Sequence, residues 1–536
     1  MPPTCADAAP DGSQLHYVYD GAHRLTEVRD ALGNRIVYTL DAMGNRTQEQ
    51  VFDPNGTLSR AHQREYDALN RLFRDIGGAN PASQITQYAY DANGNLTQVS
   101  DPLGRVTNHS YDALNRLIQD LQPPSTSGAT RPASTYDYDS QDRLSRVTDA
   151  RSLSTAYSVD GLGNRTQTAS PDTGTSTVSY DEAGNIKTRT DAKGQLSQYS
   201  YDALNRLTQT HLHDGTRQSY TYDQGVNALG RLSSLAEYDS ADALLSRVDL
   251  AYDAWGRVTG YTQSLAGTSG SVHYHYDAGG RLDQLTYPSG RSVEYSYNFA
   301  GQLQRIGTTA PGQGTSKTVV ENIAYQPFGA VARFTYGNGQ QFNRGFDLDG
   351  RIALYSLGAG NYALGYDAAS QLRLVSDVTD PNWLSQYDYD GLGRLTHAQP
   401  PGESYAYTYD GVGNRLTRTT AGGTTNTTYS ASSNRLATIS GVAVQFDANG
   451  SLLSGLGAVD LGYDARGRLT QAVSASNTTA YYIDALGQRI RKSNLSTDTL
   501  YYYDLGGHLI AEGTLGGAPI KEYLYLGDLP VGVVAY

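Results

Sequence analysis

The sequence predicts an all-β protein assembled from tandem antiparallel hairpins, and three observations carry that prediction. Tyrosines alternate with small polar residues over short runs, as at Tyr88 and Tyr90, Tyr220 and Tyr222, or Tyr405, Tyr407 and Tyr409. Period-two alternation of this kind marks a half-buried strand. Each run closes on Asp-x-x-Gly or Asp-x-x-Asn, a turn signature. The turns return at an interval of about 21 residues, as from Tyr90 to Tyr111 and from Tyr180 to Tyr201, which suits a repeat whose units cannot bury a face alone.

The unit reads as strand, turn, strand. Tyr-Asp-Ala-Leu-Asn-Arg-Leu stands unchanged at Tyr66–Leu72, Tyr111–Leu117 and Tyr201–Leu207, with looser copies beginning at Tyr90, Tyr389, Tyr409 and Tyr463. Asp67, Asp91, Asp112, Asp202, Asp390, Asp410 and Asp464 occupy the first position of a type I turn, where a carboxylate accepts from backbone N–H groups two residues on. Three residues later Gly94, Gly393, Gly413 and Gly467 supply the left-handed backbone that lets the hairpin close. Asn70, Asn115 and Asn205 replace glycine there, and asparagine is the next residue to tolerate that conformation. Arg71 and its counterparts then open the outgoing strand.

Along the chain, residues 1–14 read as a loose lead-in, 15–480 as the repeat region, and 481–536 as the last repeats. Clusters at Gln122–Gly128, Ala266–Gly270, Ala310–Gly314 and Gly422–Asn426 read as extended hairpin loops. From about Val319 to Gly365 the repeat degrades, so a change in sheet geometry is expected there. There is no helical stripe.

Composition narrows the class. A chain of 536 residues exceeds one ordinary hydrophobic core, a limit that an array escapes by growing in one direction. Tyrosine dominates the aromatics, 43 against 8 Phe and 2 Trp, and suits sheet faces that stay partly wet. With 18% charged residues, the chain reads as polar but ordered. A net charge of −13 without a basic run argues against a nucleic-acid surface. The single cysteine, Cys5, excludes an intramolecular disulfide. No apolar run approaches transmembrane length, and the N-terminus lacks the basic start and apolar middle of a signal peptide.

Candidate chemistry yields to structural readings. The aspartates sit where turns need them. Asp91-x-Asn93-x-Asn95 opens like a calcium loop, but Leu96 stands where that loop needs glycine and Pro102 at its twelfth position. His211 with His213, and His273 with His275, each place two histidines on one strand face, without a third ligand at suggestive spacing. No nucleophile elbow, phosphate loop or Cys-His pair is present. The expectation is therefore no enzyme, no cofactor and no metal.

The linked Tyr-Asp units resemble the YD repeats of the Rhs family, shared with Tc toxin C components, wall-associated proteins and teneurins. The run Tyr501–Glu512 followed by Ile520–Val531 is similar to the stretch before the Rhs-associated core, which this chain lacks. The resemblance implies a strip of hairpins coiled into a hollow shell that encloses a toxic C-terminal domain, its own or an adjacent one, until delivery. It implies a secreted or cell-surface protein, with a secretion-system spike or a surface glycan as further partners. A surface adhesion module binding glycans or receptors through tyrosine faces is the alternative. The family's self-cleaving Asp-x-x-Gly-Arg-x-x-x-Asp-Pro-x-Gly has only a look-alike here, Asp91–Gly94 with Asp101–Gly104. It carries five residues between Asn95 and Asp101 where the motif has three, so no catalytic aspartate is carried over.

Overall fold

Why these hairpins build a coil rather than a flat strip follows from where their ladders are irregular. The computed structural model describes residues 4–8 (backbone only), 13–265, 267–455, 457 and 459–536. Among these it contains fifty short strands, from Thr4–Ala8 to Leu529–Ala535, and no helix. Each strand pairs antiparallel with the next in sequence except at two breaks, giving one 40-stranded sheet through Val442–Ala443, a two-stranded ladder at Gln445–Phe446 and Leu452–Ser454, and an eight-stranded sheet from Asp460–Tyr463 to Leu529–Ala535.

The strip has two unlike edges. One carries the Tyr-Asp turns; the other carries the turns that connect one hairpin to the next. At the Tyr-Asp edge the register slips beside the tyrosine: Tyr90 faces Leu96 but Ala89 faces Gln98, leaving Thr97 as an extra residue. The same slip recurs beside Tyr111, Tyr201, Tyr389, Tyr409 and Tyr463. Most connecting turns pair without one, as in Val106 to Ser100 and Thr107 to Val99. An extra residue bends its strand and increases twist, so bulges concentrated along one edge curl the strip.

The curl brings the strip back against itself. The Ala61 N–H donates to the Leu348 carbonyl at 2.9 Å, and the Gly391 N–H to the Ser125 carbonyl at 2.7 Å. Gly78 N–H meets Asp349 Oδ1 at 2.6 Å, Asn449 Nδ2 meets Asp191 Oδ2 at 2.6 Å, and the Tyr287 hydroxyl meets the Tyr523 carbonyl at 2.8 Å. Side-chain partners across this seam lie between 227 and 285 residues apart. The Tyr-Asp turns of a second winding thus rest on the connecting turns of the first.

The wall is thin at first and thick at the end. Ahead of Ala228 the buried apolar residues are Val28, Val51, Ala61, Ile76 and Pro123 among the described residues. The main core forms where the last hairpins pack over the first winding: Val248, Val272, Leu285, Val293, Ile306, Val320 and Phe334 meet Ile490, Leu500, Ile510 and Leu524.

Several expectations change. Thr4–Ala8, within the expected lead-in, pairs with Gln14–Tyr19, whose open edge accepts a strand that shows no alternation of its own. The ladder does not break in 319–365, but two register shifts between Glu321 and Tyr325 give the change in geometry expected there, and Phe334 stacks on Phe342 at 4.7 Å in place of the Tyr-Asp pattern. The breaks fall instead between Ala443 and Asp460, a stretch where Gly455 and Gly457 take positive φ. Thr268–Gly270 and Gly423–Asn426, expected in loops, belong to strands because their hairpins close tightly.

Candidate functional site: the stitched wall and its seam

The Tyr-Asp motif does more than turn the chain. In most of these turns one aspartate oxygen accepts two backbone N–H groups and the other accepts the side chain four residues on. Asp67 Oδ1 takes Leu69 and Arg71 N–H at 2.9 and 3.0 Å, while Oδ2 takes Arg71 Nε at 2.8 Å. The Arg71 backbone bond, then its side chain, hold the Asp67 carboxyl below the ordinary carboxylate range. Asp112 and Asp202 share this geometry and its direction, and Asp390 and Asp464 share the geometry. Asp91 and Asp410 accept an asparagine amide in place of arginine, from Asn95 and Asn414, each at 2.9 Å.

The same residues then stitch each hairpin to the next. Arg71 reaches the Asp91 carbonyl at 3.2 Å and lies 4.5 Å from the centre of the Tyr90 ring. The Tyr90 hydroxyl donates back to the Leu72 carbonyl at 2.9 Å. Tyr111 and Tyr201 repeat that bond to Leu96 and Ile186, each at 3.0 Å. Tyr389, Tyr409 and Tyr463 bond Leu372, Leu395 and Leu452 at 2.8, 2.8 and 2.7 Å, and Tyr66 bonds Arg46 at 3.3 Å. A guanidinium over an aromatic face and a buried tyrosine hydroxyl on a carbonyl are each worth about 1 kcal/mol, and here they recur hairpin after hairpin.

The left-handed positions behave as the turn requires: φ is 91° at Gly94, 77° at Gly393, 97° at Gly413 and 76° at Gly467, and 67°, 61° and 59° at Asn70, Asn115 and Asn205. Asparagine also adds what glycine cannot. Asn45, Asn95 and Asn185 donate to the side-chain oxygens of Asn70, Asn115 and Asn205 at 2.6, 2.7 and 3.0 Å. Both this link and the Arg–Tyr stack join residues one repeat apart, so the constant period was the signal that could have revealed them.

The other candidates are placed plainly. His213 sits in the turn after Leu207–His211, so it does not share a strand face with His211, and both are exposed. His273 and His275 share one exposed face, where His275 pairs with Asp283 at 2.5 Å. Among the described residues no three His, Cys, Asp or Glu gather as a metal set. Asp91 and Asp101 lie in different turns on opposite edges, each committed to its own turn.

Beside the apolar packing of the last hairpins, the seam holds two buried carboxylates of unlike pairing. Glu522 is fully buried and receives Arg291 Nε at 2.6 Å, the Tyr536 hydroxyl at 2.5 Å and the Ser289 hydroxyl. Asp484 is 1% exposed and its Oδ2 has no partner, Gln488 standing where most of these turns carry Arg or Asn. Burial, with Glu237 adding to it, pushes its carboxyl up to about 6. Sequence reasoning missed both residues.

Comparison with known proteins places this architecture. An RHS Repeat family model matches residues 9–35, 19–58, 80–124, 180–217 and 252–292, and a Teneurin YD-shell model matches 364–505. No curated protein matches the chain. Among solved structures, that of TcdB2-TccC3 without its hypervariable C-terminal region superposes with a TM-score of 0.71 at 16% identity, over 98% of this chain and 34% of that one. A Photorhabdus luminescens Tc holotoxin pore with a TccC3 mutation gives 0.73 at 16% identity, over 98% and 34%. This chain therefore spans about a third of the length of those chains. At this identity the likeness is one of fold, and the repeat fold resembles a structural, non-catalytic module. No helix among the described residues is long and apolar enough to cross a membrane. The repeats along both halves, coiled into a shell-type strip, make this chain a member of the Rhs/YD-repeat family.

Proposed function

We propose that this chain forms part of the wall of an Rhs-type shell that sequesters a toxic C-terminal domain, its own or an adjacent one, until delivery outside the producing cell. The observation that carries the reading is the seam: a strip whose second winding docks on its first bounds a space, as a free ribbon does not. Containment is steric, with no reaction asked of the wall. The fold likeness to TccC3 adds support, since that protein is described with a hypervariable C-terminal region and in a toxin pore.

The adhesion alternative needs tyrosine faces free to stack on a sugar or peptide. The turn tyrosines instead spend their hydroxyls on a neighbouring carbonyl, and several, such as Tyr90 and Tyr409, also hold a guanidinium on the ring. That commitment favours containment.

A passenger fused after Tyr536, such as a small ribonuclease, separates the two. Containment predicts a passenger that resists protease and acts on substrate only after the wall is unfolded. Digestion at the rate of the free passenger, together with glycan binding by the wall, would sink containment and favour adhesion.

A further inference from the structure

The seam uses a knob and a socket that the molecule carries twice and joins once. The joined pair is the turn Asp390-Gly391-Leu392-Gly393 set on the connecting segment Gln122-Pro123-Pro124-Ser125. Gly391 has a structural reason here, because a Cβ on it would run into the Pro124 carbonyl. Its N–H is taken by Ser125, and Leu392 is half-buried beneath the first winding.

The second pair stands unused on opposite rims. Asp160-Gly161-Leu162-Gly163 repeats the knob on the free Tyr-Asp edge of the first winding. A Cβ on Gly161 would meet nothing within 4 Å, and Leu162 is 90% exposed. Gln399-Pro400-Pro401-Gly402 repeats the socket on the free connecting edge of the second winding, where Pro401 and Gly402 are exposed. On the same rim Met43, Leu69, Leu114, Leu204 and Trp255 are exposed at the turn position of Leu162, alternating with turns that carry Asn93, Gln141 and Ala183 there. Leu162 is left almost wholly in solvent at its turn tip, and exposed apolar side chains that recur along one rim suit an interaction surface.

We propose that copies of this chain stack head to tail, the Tyr-Asp rim of one first winding docking on the connecting rim of another's second winding, with Leu162 seated on Pro400 and Pro401. The interface continues the seam's own geometry, and hairpin order around both rims then sets Leu114 near Leu357 and Leu204 near Val442, all exposed apolar residues. Because two different surfaces meet, the contact is heterologous and does not close on itself, so it builds rows rather than only dimers. It goes beyond the containment reading and stands or falls separately.

Sedimentation of the full chain from 1 to 50 µM (about the range where weak interfaces populate) tests it. The expected result is a concentration-dependent shift to dimers and longer rows, weakened about tenfold or more by Leu162→Glu. That position touches nothing that folding needs. Two separately tagged copies, Leu162→Cys and Pro401→Cys, each with Cys5→Ser, should cross-link to one another on mixing. A monomer at every concentration would overturn the proposal and leave the rim to another partner. So would rows indifferent to Leu162→Glu, or cross-linking of Leu162→Cys copies only with themselves.

Discussion

Glu522→Ala is expected to free the last two strands from the wall, costing about 3–5 kcal/mol locally, because it leaves the Arg291 guanidinium buried without its carboxylate. The pair lies at the seam, 231 residues apart in sequence, with Arg291 only 8% and Glu522 0% exposed at the side chain. Hydrogen exchange reads the effect: protection should fall first in Pro519–Leu526 and Leu529–Ala535, and in Ser292–Tyr297 across the seam, while Leu96–Ser100 stays protected. Replacing both partners together, as Arg291→Met with Glu522→Leu, should recover most of the loss, because no charge is then buried alone. Uniform loss across all strands would show that the pair is not a seam element.

Asp484→Asn is expected to stabilise the protein by about 3 kcal/mol at pH 7.5, an unusual sign for a change at a buried position. The folded carboxyl titrates near 6 against an ordinary value of 3.8. A raised acid is best accommodated when protonated, so its stability is fully present below pH 3.8 and is lost as pH rises through 6. The amide keeps the acceptor that takes Leu486 and Gln488 N–H at 3.0 and 2.9 Å, and it carries no charge beside Glu237. Thermal unfolding should therefore show the wild type gaining on the variant between pH 7 and 5, and the two converging near pH 4. The other turn carboxylates run the opposite way. Asp67, Asp112 and Asp202 are held low, so their contribution persists above the ordinary value and is lost only as pH falls below it.

The local half of this molecule is written locally. Asp67 and Asn70, or Asp91 and Gly94, name the turn because their side-chain and backbone needs are met within five residues, and the tyrosine alternation names the strand before it. The bulge at Thr97 was not legible, since no residue type marks it and it follows from how the turn hands the strand its register. The seam was illegible for a different reason. Gly391 meets Ser125 and Arg291 meets Glu522 across more than two hundred residues, and nothing near either residue announces its partner. Gly391 looked like one more turn residue, and only the Pro124 carbonyl beside it explains its missing side chain. The family resemblance supplied the idea of a coil, while the position of the seam came from the backbone.

Containment requires the second winding to close against the first, and cryo-electron microscopy of the purified chain tests that most directly. The expected map shows two windings of sheet in contact, with the turns at Asp390 and Asp410 resting on the connecting segments at Pro124 and Ala150. A single open ribbon, with those turns in solvent, would contradict the seam and the containment that depends on it.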